Sequence, residues 1–258
     1  MNKTVLTQKL DGLFIVTINR PDRKNAVDGK TALALYETFK AFDTDSSLKV
    51  AILTGSDNTF CAGADLKVMT DEACRNPINE DGDLGPMGAS RLKLSKPVIA
   101  AIEGHAVAGG FELALWCDLR VVAENAVMGV FCRRFGVPLV DMGTVRLPRL
   151  IGQSHAMDLI LTGRAVNADE ALNIGLANRV SATGQALHEA VQLAKLISNF
   201  PQECMKNDRL SAIEQWGLPE EEAIKNELKH GLATFQSGET REGAINFQKG
   251  KGHHGKIE

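Results

Sequence analysis

The sequence predicts an α/β fold of parallel strands joined by helical crossovers, with a helical region at its C-terminal end. Three observations support this. Leu13 to Asn19 alternates Phe14, Val16 and Ile18 with Leu13, Ile15 and Thr17, so both faces are largely apolar, as in a strand covered on both sides. A second buried run, Val50 to Thr54, follows at a distance that admits one helix, which is the spacing of a right-handed parallel crossover. From Gln153 onward helix signals dominate.

The elements follow in order. After the turn-like NRPDRKNAVD, Asp28 caps a helix whose Ala32, Leu35, Tyr36 and Phe39 fall at i, i+3, i+4 and i+7. Val50 to Thr54 leads into GSDNTFCAGADL, a strand-to-helix turn with Gly63 and Ala64 where backbone amides can face a ligand. Met69 to Ser90 is acidic, carries Gly82, Gly85 and Gly88, and lacks periodicity. It reads as a loop or short irregular helix, either beside a site and concerned with substrate choice or a surface insertion. Leu119 to Gly129 returns to short strands. Gln153 to Leu161 is an amphipathic helix, and Asn167 with Glu170 forms a capping-box pattern before a helix ending near Gly175. Gln185 to Ile197 is a longer helix, and Pro219 opens another toward Phe235. A boundary near Asn199-Phe200-Pro201 divides a core, residues 1–198, from a helical region, residues 199–258, whose apolar face is expected to pack on a neighbouring subunit.

The stretch KPVIAAIEGHAVAGGFELALWCD, Lys96 to Asp118, carries the chemistry. The run Val98 to Ile102 is followed by Gly104, Gly109-Gly110 and a helix that opens with Glu112. Glycines let amides approach a ligand, and a helix N-terminus leaves its first N–H groups unpaired, so the turn can hold a developing oxyanion. The alternative is close packing of strand and helix alone. Glu112 is an acid in an apolar stretch, which is costly to bury unless it is hydrogen-bonded structurally or kept for proton transfer.

Composition excludes other classes. A net charge of −3 gives no overall reason to expect nucleic acid or an anionic membrane. Cys61, Cys74, Cys117, Cys132 and Cys204 are odd in number, widely spaced and without histidines at ligand spacing. They read as free thiols in a reducing compartment, with neither disulfides nor a zinc site. No segment approaches a membrane span or a signal peptide, so a soluble cytoplasmic protein is expected.

The segments NRPDRKNAV, FCAGADL, KPVIAAIEGHAVAGGFELALWCD, GTVRLPRLIG, LTGRAVNADEALNIGLANRV and EGAINFQKG together resemble the enoyl-CoA hydratase/isomerase (crotonase) family over nearly the whole chain. The resemblance implies a spiral of ββα turns with a C-terminal helical region, trimers that pair into hexamers, and acyl-CoA thioester substrates, with no cofactor beyond the coenzyme A of the thioester. It assigns the amides of Ala64 and Gly109 to an oxyanion hole that stabilises a thioester enolate, and Glu112 to proton transfer, for adding water to a C=C bond of an enoyl-CoA or moving that bond. Coenzyme A contacts implied in the same way are Arg23, Lys24 and Ala26, then Ala62, Asp65, Leu66 and Lys67, with Phe247 and Lys249 or Lys251 from an adjacent subunit.

One position departs from the family. The second glutamate of the hydratase pair is Cys132 here, and a neutral thiol is a poor stand-in for a carboxylic acid. Asp141, just before Gly143-Thr144, resembles the catalytic aspartate of dienoyl-CoA isomerases in their DxGT context; it is either the partner acid or a cap for a helix around Met142 to Leu147. Cys132 is read as part of the pocket wall, or as a nucleophile with its pKa lowered by Arg133 and Arg134. Those two arginines suit either subunit salt bridges or substrate, and His105 a structural hydrogen bond. Because of Cys132, thioester hydrolysis and decarboxylation stay open, as does a non-catalytic acyl-CoA or RNA-binding relative.

Overall fold

An Asp-Gly dipeptide turns the chain back on itself near its start. Asp11 and Gly12 have φ of 45° and 78°, the two left-handed residues that a two-residue hairpin demands. They join β1 (Val5–Leu10) to β2 (Leu13–Ile18) as an antiparallel pair. β2 stands where its alternation predicts, and β1 is an addition to the predicted strands that the Asp11-Gly12 hairpin signal marks. The computed structural model describes residues 3–252.

Asp28 accepts from the Thr31 N–H at 2.8 Å and so caps α1 (Gly29–Thr44), which buries Ala32, Leu35, Phe39 and Phe42. The chain continues through β3 (Val50–Gly55), β4 (Val98–Ile102), β5 (His105–Val107), α2 (Gly109–Trp116), β6 (Leu119–Ala123), β7 (Val127–Gly129), α3 (Gly143–Thr162), α4 (Ala168–Asn173), β8 (Arg179–Ser181) and α5 (Ala186–Ser198). The main sheet has the order β1-β2-β3-β4-β6-β8, parallel after its first pair, with Leu13 opposite Val50 and Ala51 opposite Val98. Crossover and strands thus stand where the periodicity put them. β8 was too short to read.

A second ladder runs beside the sheet. Cys61 bridges Ala106, β5 pairs with β7, and Met128 bridges Val166. Successive turns of chain therefore stack as repeated ββα units in a spiral. Alternation along the strands sends Phe14, Val16, Leu53 and Ile102 into one core with Phe39 and Phe111. Leu13, Ile15, Ile52 and Ile99 face the other way, against Ala190 and Leu193 of α5. Each such large apolar side chain removed from water contributes roughly 1.5–3 kcal/mol.

The α3 span is two helical segments broken at Gly152, whose φ of 77° and ψ of 158° are not helical, so the second starts at Gln153, where the amphipathic stretch begins; Pro148 lies in the first. Asn167 does cap α4, accepting from the Glu170 N–H at 2.9 Å, but the Glu170 carboxylate pairs with Arg164, so only half of the capping box forms. The chain divides into two compact units, Met1–Ile197 and Ser198–Glu258. The second contains α6 (Gln202–Glu214), α7 (Glu220–Ser237) and α8 (Glu239–Gln248), and Ile224, Leu228, Leu232 and Phe235 of α7 are exposed. Among the described residues no helix is long and apolar enough to cross a membrane.

An ion-pair triad fixes the loop before α1. Arg20 Nη2 lies 2.9 Å from Asp28 and 3.0 Å from Asp65, and Nη1 donates to the Ala26 carbonyl. Replacing Arg20 by Met leaves two largely buried carboxylates without their cation. Urea denaturation is expected to show a loss of about 3 kcal/mol, with Arg20→Lys recovering only part because it lacks the planar fork.

Candidate active site

Two turns meet at Gly63 and Gly109. Gly63 has φ of 98°, and a Cβ there would stand 2.9 Å from both the Gly109 nitrogen and the Ala108 Cβ, so no other residue allows this approach. Val27 N–H donates to Gly63 O and Asp65 N–H to Val27 O, a parallel bridge that leaves the Ala64 N–H unused. Gly109 opens α2, where the first N–H groups have no intrahelical partner. Among the described residues neither N–H has a protein acceptor. Ala108, immediately before, is held at φ 54°, a left-handed conformation unusual for alanine, by its bond to Gly129 O. The turn at Gly63 runs into a single 3₁₀ turn, Leu66–Val68, in place of the expected helix.

Glu112, in the first turn of α2, is 2% exposed. Its Oε1 accepts from the N–H groups of Asp141 at 2.9 Å and Gly143 at 2.8 Å. Gly143 is required for this, because a Cβ would sit 2.7 Å from Oε1. Burial, and next the neighbouring Asp141 carboxyl, push Glu112 from its ordinary 4.5 up to about 7, against those two N–H bonds and the charge of Arg146.

Asp141 is equally buried. Its Oδ1 accepts from the Met87 N–H at 2.9 Å and from the Ser90 hydroxyl. Burial raises its pKa, opposed first by the Ser90 bond and then by Met87. The cap reading of Asp141 is overturned: α3 begins at Gly143 behind Met142, and no side chain caps it. The two acids share one pattern. Each has one oxygen held by two donors, and nothing among the described residues donates to Glu112 Oε2 or Asp141 Oδ2. Neither of these is among the occluded orphan atoms, which are Thr31 Oγ1 and Ser181 Oγ, so neither is fully occluded.

Cys132 stands in a short 3₁₀ turn, Phe131–Phe135, near Glu112. Burial and then the Glu112 charge raise its thiol, outweighing Arg133. That direction is opposite to the lowered pKa on which the nucleophile reading depends. Arg133 and Arg134 donate to the carbonyls of Ile160 and Gly163, and Arg134 covers the Phe131 ring, so neither forms an ion pair among the described residues. His105 is exposed at the start of β5.

The expected coenzyme A contacts fall into groups. Arg23 and Lys24 are exposed on the Arg20 loop, and Lys24 O accepts from Ala62 N–H at 3.0 Å, which ties that loop to the Ala64 turn. Lys67 and Leu66 are exposed just beyond it. Ala26 and the Asp65 side chain are buried, and Asp65 is engaged by Arg20, so what these two offer a ligand is backbone. Phe247 and Lys249 are exposed at the end of α8 in the second unit, and Lys251 is exposed beyond it.

Three residues were missed. Met87, Ser90 and Arg146 build the Asp141 side of the site: Arg146 Nη1 donates to Asp141 O at 3.1 Å and Nη2 to Ser90 O at 2.8 Å. Only Arg146 had a readable signal, a cation within an apolar helix face; Met87 and Ser90 lie in the aperiodic loop. Among the described residues no group of three or more His, Cys, Asp or Glu could hold a metal ion.

Known proteins share this architecture and its sequence. The enoyl-CoA hydratase/isomerase family matches residues 8–255. An enoyl-CoA hydratase of Mycobacterium tuberculosis is 36% identical over 246 residues, covering 94% of this chain and 92% of its own length. A mevalonyl-coenzyme A hydratase of Aspergillus fumigatus is 38% identical over 186 residues, 72% of this chain and 69% of that one. The crystal structure of an enoyl-CoA hydratase from Mycobacterium marinum matches with a TM-score of 0.90 at 34% identity, covering 95% of this chain and 96% of the other.

The Glu112 shift carries a stability prediction. An acid whose folded pKa lies above its unfolded value leaves the fold unpenalised below about 4.5. It destabilises the fold progressively as pH rises from there to about 7, and fully above that. Glu112→Gln keeps an oxygen for the two N–H groups without the charge. It is expected to be more stable than the wild type at pH 8, by on the order of 2–3 kcal/mol, and nearly equal at pH 4.5, as read by thermal unfolding at the two pH values.

Proposed function

The chain belongs to the enoyl-CoA hydratase/isomerase family, it is an enzyme of hydratase type, and we propose how its own residues carry out that reaction. The thioester carbonyl of an enoyl-CoA accepts from the Ala64 and Gly109 N–H groups, the two unpaired donors brought together by the Gly63 approach. Each such donor is worth ~10²-fold to 10³-fold in rate, because it is fixed where negative charge develops. Glu112 and Asp141 then move the protons. Two neighbouring buried acids cannot both ionise easily, so the pair holds one proton near neutrality. The Ser90 hydroxyl and Met87 N–H favour charge on Asp141, and Glu112 carries the proton.

Hydration follows from that assignment. Asp141 Oδ2 takes a proton from water as its oxygen bonds to Cβ. The C=C electron pair moves toward the thioester, giving an enolate on the two N–H groups, and Glu112 Oε2 delivers a proton to Cα. Dehydration is the same path reversed. The supporting observation is the matched arrangement of the two acids, each with one oxygen held by two donors and one without a donor among the described residues. Asp141 thus serves in place of the glutamate that Cys132 replaces. The reaction needs no cofactor beyond the coenzyme A of the substrate. Arg23, Lys24 and Lys67 offer cations to its phosphates, with Phe247 and Lys249 supplied by a neighbouring copy in a cytoplasmic trimer or dimer of trimers.

Loss of the conjugated enoyl thioester of crotonyl-CoA follows the reaction directly. Glu112→Gln and Asp141→Asn are each expected to lower kcat/KM by ~10²-fold or more, and Cys132→Glu to return part of the loss in the Asp141→Asn background. The pH profile of the wild type should show a limb near 7. Release of free CoA at the rate of substrate loss, read with a thiol reagent, would replace hydration by hydrolysis. Full activity of Asp141→Asn would remove Asp141 from the mechanism.

A further inference from the structure

Asp141 is held differently from Glu112. Both donors on Glu112 Oε1 are backbone N–H groups, whereas Asp141 Oδ1 takes one backbone N–H, from Met87, and one side-chain hydroxyl, from Ser90. Ser90 is 0% exposed and its place is fixed from two sides. Arg146 Nη2 donates to its carbonyl at 2.8 Å, and the same guanidinium donates to the Asp141 carbonyl at 3.1 Å. The Met87 N–H is fixed by the tight turn around it, where Gly85 and Gly88 exchange backbone bonds of 3.0 and 2.8 Å.

We propose that Ser90 is a positioning residue that orients the Asp141 carboxyl, keeping Oδ1 engaged and presenting Oδ2 to the reacting atoms. This rests on the reading of Asp141 as the partner acid and deepens it. Two donors on one oxygen stop rotation of the carboxyl group, and they favour its charged form over its neutral one. The Met87 N–H cannot accept a bond, so while the Ser90 hydroxyl donates to Oδ1, a proton that Asp141 takes up goes to Oδ2. With Ser90 removed, only the Met87 N–H remains. The carboxyl is then free to turn, and it becomes a weaker acid.

The test is a double-mutant cycle on the intact protein with crotonyl-CoA, with folding checked by circular dichroism. Ser90→Ala is expected to lower kcat by roughly 10-fold with little change in KM. It should also move the acid limb of the kcat/KM profile up by about one pH unit, the size of a lost bond to a charged group. Ser90→Thr, which keeps the hydroxyl, should restore most of both. Ser90→Cys keeps the volume with a weaker donor, so it should fall between, and it carries the test if the alanine variant does not fold. In the Asp141→Asn background, Ser90→Ala should slow the enzyme no further, because Ser90 acts through Asp141. An unmoved acid limb, or a full 10-fold effect in that background, overturns the role of Ser90 while leaving Asp141 in place. An Asp141→Asn enzyme of undiminished activity overturns both, and is told apart by that variant alone.

Discussion

One carboxylate oxygen ties together the segments that carry the proposed site. Glu112 Oε1 accepts from the N–H groups of Asp141 and Gly143, and so joins the first turn of α2 to the first turn of α3. The same bonds bring Asp141 beside Glu112. α2 in turn begins at Gly109, whose N–H is half of the proposed oxyanion hole. A single acceptor thus couples the proposed oxyanion hole to the two acids proposed to move protons. Its donors are backbone, so side-chain substitution cannot remove them. A Cβ at 143 would stand 2.7 Å from Oε1, so a residue larger than glycine there would displace the Glu112 carboxylate.

The electrostatics follow from burial. Two acids 2% exposed destabilise the fold if both are charged, and Arg146 relieves this without neutralising either, because its guanidinium donates to carbonyls and not to the carboxylates. A direct ion pair would hold one acid permanently ionised. Charge at one remove leaves Glu112 able to exchange a proton near pH 7, where proton transfer in both directions is most effective. Under the proposed mechanism, the arrangement gives up stability for proton transfer at a site that the remaining core supports.

The legible parts of the chain were those where a local pattern and a tertiary role agree. β2, β3 and β4 read as buried runs because they lie in a sheet covered on both faces, and Asp28 and Asn167 read as caps because the cap is a local bond. Gly63 and Gly109 were legible as turns that free backbone amides, but their mutual contact joins segments almost fifty residues apart and has no local trace. Ser90 and Met87 were illegible for a related reason. Their loop has no periodicity, and their role is defined only by Asp141, some fifty residues further on. β1, by contrast, has a local trace in the Asp11-Gly12 hairpin turn.

The absence of a glutamate at position 132 has a consequence for how the site can vary. A carboxylate in the Phe131–Phe135 turn would take its surroundings from that turn. Asp141, proposed as its replacement, takes its donors from the far end of the Met69 to Ser90 loop, the same segment whose Met87 side chain is buried against Gly109. A loop of this kind is where chains of one fold differ most, because it is free of the sheet. In this chain its end is not free: it supplies both donors to Asp141 Oδ1 and packs on Gly109. Under the proposed mechanism, changes that reshape the loop would therefore also alter the strength of Asp141, which couples the shape of residues 85 to 90 to the proposed proton transfer.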